Sequence, residues 1–102
     1  MSTDNAIMIL GFPDDTYMVK HVCNPMEISP NDSYINYELL YSEFDGCEIL
    51  EDKNSADIVA IQLLQEYWYV EYGIILLKVP LEWKSVRDLA LTTSTSRSIL
   101  KK

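Results

Sequence analysis

Residues 55–79 read SADIVAIQLLQEYWYVEYGIILLKV, the longest apolar segment of the chain, and everything else must pack around it. Its first half has helical character. Asn54, Ser55 and Asp57 are residue types that cap helix starts, and an acid there suits the positive end of the helix dipole. At 100° per residue, Gln62, Gln65 and Glu66 share one narrow sector, while Val59, Ala60, Ile61, Leu63, Leu64, Tyr67 and Trp68 fill the rest. So wide an apolar arc predicts a helix covered on most sides. The second half favours strands. Tyr67-Trp68-Tyr69-Val70 and Ile74-Ile75-Leu76-Leu77-Lys78-Val79 flank a Tyr72-Gly73 pair that can supply the positive φ of a tight turn. The expectation is a helix over about residues 55–66 and a hairpin over about 67–79. The competing expectation runs the helix on to Tyr72, with Gly73 ending it.

The rest of the chain supplies short elements. Ala6 to Leu10 is a continuous apolar run, which predicts a buried strand. Phe12-Pro13-Asp14-Asp15-Thr16 is a turn, and residues 17–23 form either the return strand or a short capped helix. Residues 24–33, with Pro25 and Pro30, predict a loop. Residues 34–44 place Ile35, Leu39, Leu40 and Phe44 at helical spacing before Asp45-Gly46. Residues 47–51 are a strand candidate. Residues 80–91 predict a last helix with Trp83, Val86, Leu89 and Ala90 on one face. Residues 92–102 are hydroxyl-rich and basic and predict a flexible tail. The expected fold is a single α+β domain over residues 1–91, a short, mostly antiparallel sheet against two or three helices.

A chain of 102 residues, 48% hydrophobic, supports one modest core. No apolar run reaches the ~20 residues needed to cross a bilayer, and the first residues lack a basic export signal. A cytoplasmic protein with reduced Cys23 and Cys47 is expected.

Charge is divided unevenly. Of 16 acids, 14 lie in residues 1–77, against Lys20 and Lys53 alone, so that part carries 2 − 14 = −12. Residues 78–102 hold six bases and two acids, 6 − 2 = +4. Residues 27–71 contain eleven acids and one lysine. Such a surface repels phosphate, which argues against direct nucleic-acid binding, and the few basic residues at the end are too few for a membrane anchor.

Catalytic signals are weak. His21 is the lone histidine; with Cys23 it could form a thiol–imidazole pair, but no orienting group or oxyanion donor is identifiable. His21, Cys23 and Cys47 fall short of a zinc set, no calcium loop is present, and Gly11, Gly46 and Gly73 make no phosphate loop. No enzyme, metal or cofactor is therefore expected. Tyrosines among acids suggest instead a surface that captures a basic protein. The expected partner-binding residues are Glu38, Glu43, Asp45, Glu48, Glu51 and Asp52, with Tyr37 and Tyr41 as apolar anchors. Small acidic immunity proteins that neutralise nuclease toxins, and phage-type anti-defence proteins, share this profile in kind, not in sequence. Two other expectations stand beside it: a homodimer formed through residues 67–79, and a thiol enzyme using Cys23 or Cys47.

Overall fold

A strand with no polar position has to be covered on both faces, and β1 (Ala6–Gly11) is buried from Ala6 to Leu10 at the centre of a three-stranded sheet ordered β2-β1-β3. The computed structural model describes residues 5–31, 33–67 and 69–100, the last nine of them by backbone alone. The return-strand alternative for residues 17–23 is the one adopted: β2 (Tyr17–Val22) pairs antiparallel with β1, from Ala6 opposite Val22 to Gly11 opposite Tyr17. Asp14 holds the turn between them by accepting hydrogen bonds from the Thr16 hydroxyl at 2.6 Å and the Thr16 amide at 3.3 Å.

The stretch 24–33, expected as loop, contains one short helix, α1 (Pro25–Ile28), started by proline where no amide bond is needed. Helix α2 (Tyr37–Phe44) begins later than the pattern from Tyr34 suggested. Its cap is Asn36, whose side chain accepts from the Leu39 amide. Residues 47–51 do not form the expected strand; Leu50 alone bridges Tyr17, because the chain turns at once into α3 (Lys53–Glu66). The cap of α3 is Asp52, accepting from the Ser55 amide at 2.7 Å.

Among the described residues of 67–79 neither the expected hairpin nor the longer helix forms. Helix α3 ends at Glu66, with the Tyr67 amide bonded to the Leu63 carbonyl. The chain then irregularly reaches the start of β1, where Tyr72 donates to the Asn5 carbonyl and Ile7 to the Gly73 carbonyl. Gly73, at φ +66°, turns the backbone into β3 (Ile74–Lys78), which runs parallel to β1. Strand propensity at Tyr67, Tyr69 and Val70 is overridden because a helix that returns to the start of β1 leaves its next strand only the parallel direction. The sheet is therefore mixed, one antiparallel pair and one parallel pair.

Two apolar layers sandwich the sheet. Ile7, Ile9 and Val19 face Ala56 and Ala60 of α3, small residues that let the helix come close. Met8, Leu10, Met18 and Val22 face Ile28, Leu40, Phe44 and Val86. Val86 belongs to α4 (Trp83–Leu100), which packs on α2. The result is a small single α+β domain. Two expectations about helix faces fail. Helix α3 is covered on one side only, with Ile58 and Ile61 about half exposed, and Leu89 of α4 is 43% exposed rather than inward. The backbone of α4 continues past Leu91 to Leu100; the expected flexible tail concerns residues whose side chains, and for 101–102 whose backbone, lie outside the described residues.

Candidate partner-binding face

Leu40 and Phe44, four residues apart, fix α2 to the core, and this orientation decides where its acids go. Glu38, Tyr41, Ser42 and Asp45 take the flank beside α4, where they line a shallow hollow with Ala90 and Leu91. Tyr41 is half-buried, with its ring centroid 5.6 Å from that of Trp83. Trp83 in turn meets Phe12 edge-on at 5.9 Å. Beyond Trp83 lies a second hollow, lined among others by Asp14, Ile49 and Glu82, together with the bases Lys84 and Arg87. Arg87 is held toward Asp88 at 3.5 Å. An aromatic row thus runs along the α2–α4 face between an acid-edged hollow beside α2 and a second hollow of mixed charge.

The eight expected binding residues do not all meet there. Glu38, Tyr41 and Asp45 come together. Tyr37 is half-buried against the core. Glu43 sits on the other flank of α2, 3.7 Å from Lys20 of β2. Glu48 and Glu51 are exposed on the segment that passes β2, and Asp52 is engaged as the α3 cap. Conversely, Asp14, Glu82 and Trp83 belong to the face and lie outside the acid-rich window of residues 27–71. Only the turn signal at Asp14 and the amphipathic start of α4 could have pointed to them.

The thiol and imidazole groups are differently placed. His21 lies flat against Tyr67, centroids 4.2 Å apart, with Tyr69 edge-on at 6.1 Å, and its Nε2 is buried without a hydrogen-bond partner among the described residues. Cys23 is exposed beyond the end of β2. Cys47 donates its thiol hydrogen to the Val19 carbonyl at 3.2 Å, and burial raises its pKa above the ordinary value. Among the described residues no three of His, Cys, Asp and Glu gather as metal ligands, and no helix is long and apolar enough to cross a membrane. No protein-family model, curated protein or solved structure matches this chain.

Proposed function

We propose that the chain is a non-enzymatic binding protein that covers a cationic surface of another protein with its α2–α4 face. The observation that carries this is the placement of Glu38 and Asp45 on one flank of α2 around half-buried Tyr41, next to Trp83. Rigid aromatic surface supplies contact area with little ordering cost, and carboxylates at its edge steer and orient basic side chains. A nuclease toxin, whose lysines and arginines hold phosphate, offers such a surface, as does a defence nuclease of a host cell. Occlusion of those residues inhibits without chemistry. An immunity or anti-defence protein of this kind works in the cytoplasm, beside its target.

The test is calorimetric titration of a cationic ribonuclease into the protein at low and high salt. Affinity is expected to fall at least tenfold as salt screens the carboxylates, and to fall comparably at low salt in the Glu38→Gln/Asp45→Asn variant. Glu51→Gln, away from the α2–α4 hollow, leaves it nearly unchanged. Binding that ignores both salt and the double substitution rejects the proposal.

A further inference from the structure

The sheet has two edges, and the chain treats them differently. On β2 the outward residues are Tyr17, Val19 and His21, since Met18, Lys20 and Val22 bond to β1. Tyr17 exchanges both backbone bonds with Leu50, at 2.7 and 2.8 Å, and the Val19 carbonyl accepts the Cys47 thiol. The segment 47–50 therefore covers much of that edge. On β3 the bonds from Ile7 to the Gly73 carbonyl and from Val79 to the Gly11 carbonyl show that residues 73, 75, 77 and 79 turn toward β1. Ile74, Leu76 and Lys78 accordingly point their amides and carbonyls away from the sheet. Their side chains also project from the face opposite the one where Ile75 and Leu77 join the core, and α3, which packs over β1 and β2, leaves them exposed: Ile74 is 40% and Leu76 46% accessible. Segment 25–31 stands beside β3 across a hollow, but among the described residues no strand pairs with this edge, and an unpaired apolar edge is what natural proteins ordinarily protect.

We infer that β3 is a self-association edge, pairing antiparallel with β3 of a second copy about a two-fold axis at Leu76. Three features select a second copy as the occupant. The register is self-complementary: Leu76 faces Leu76, and Ile74 faces Lys78 of the second copy, so the outward residues 74, 76 and 78 are the ones that exchange hydrogen bonds. Residues 72–81 contain no acid in a chain that has 16, so the contact avoids the repulsion that the rest of the surface would impose. Lys78, the charged residue of the strand, falls opposite apolar Ile74 of the second copy, so no two like charges meet across the pair. A strand this short buries less than the about 1,200 Å² of stable complexes, so the dimer is weak, dissociating in the micromolar range. This interface is separate from the α2–α4 face and does not depend on it.

Sedimentation of the full chain from micromolar to millimolar concentration, with amide hydrogen exchange at both ends of the range, tests the inference. The amides of Ile74, Leu76 and Lys78 are expected to exchange fast at low concentration and to become protected as dimer forms, while those of Ile75 and Leu77 stay protected throughout. Leu76→Lys, a change at an exposed position that sets two like charges face to face, is expected to leave a folded monomer. In a Cys23→Ser background, Leu76→Cys should form a disulfide dimer on oxidation, since the paired Cα atoms lie about 5.5 Å apart. Ile74→Cys should not, its counterpart being about 14 Å away along the strands. A monomer with unprotected outward amides at millimolar concentration overturns the proposal, and leaves the edge to some other chain. So does a dimer that survives Leu76→Lys, or one cross-linked by Ile74→Cys in preference to Leu76→Cys.

Discussion

Cys47 is a small example of how one side chain records its surroundings. Burial disfavours its thiolate more than the charge of Lys20 favours it, so the folded protein holds the proton more tightly than the unfolded chain does. The folded pKa is the higher one. The associated stability is present below the ordinary thiol value of 9.0 and is lost as pH rises through the raised value. Urea unfolding at pH 8 and at alkaline pH should show a steeper decline for the native chain than for Cys47→Ser, and parallel declines would refute the assignment. Asp52 makes the complementary point. The sequence offered it as a binding carboxylate and offered Asn54, Ser55 or Asp57 as the cap; the two oxygens of a carboxylate serve either purpose, and only the chain direction at residue 52 decides. Its bond to the Ser55 amide predicts that Asp52→Ala costs about 1 kcal/mol in thermal or chemical unfolding. A neutral result would mean that the cap contributes nothing in solution.

At the scale of elements, legibility followed locality. The β1 strand, the β1–β2 turn and helices α2 and α3 are written in adjacent residues: an unbroken apolar run, a Pro-Asp-Asp turn, pairs four apart. The partner of β3 is not. Ile74 to Lys78 pair with residues more than sixty positions earlier, and nothing within 67–79 distinguishes a strand that returns on its neighbour from one that joins β1 in parallel. The candidate face was half legible for the same reason. Glu38, Tyr41 and Asp45, the last capping the end of α2, follow at spacings of three and four, whereas Trp83, Asp14 and Glu82 meet them only once α4 packs. Phe44 joins α2 to the sheet and is fully buried; Phe44→Ala should destabilise the fold by about 3–5 kcal/mol, enough to loosen the face as well. Gly73 sits at φ +66° with nothing near the place a Cβ would occupy. Gly73→Ala should therefore cost about 1 kcal/mol for backbone conformation alone, without a clash. A loss matching that of Phe44→Ala would indicate that the entry into β3 is more crowded than the structure has it.

For the whole molecule the decisive quantity is charge. Lys20–Glu43, Lys53–Asp57 and Arg87–Asp88 form ion pairs, each at least a third exposed and each worth little against solvent and salt. Helix α4 brings Lys84 and Arg87 into the hollow that holds Asp14 of the β1–β2 turn and Glu82, which relieves part of the imbalance between the two ends of the chain. A net charge of −8 still remains to be confined in one small domain. Repulsion spread over the surface outweighs exposed pairs of this kind, so screening should stabilise the fold. Raising sodium chloride from a few millimolar to about 0.5 M, where the Debye length falls below about 5 Å, should add roughly 1 kcal/mol, read as a rise in Tm of about 4–8 °C. The same salt acts with opposite sign on capture of a cationic protein, which depends on the unscreened field, and leaves pairing through the acid-free β3 edge unchanged or stronger. One salt series followed by melting, calorimetry and sedimentation therefore separates the three. A Tm that falls with salt would mean that attraction between α4 and the acidic body, rather than overall repulsion, governs the electrostatics of this fold.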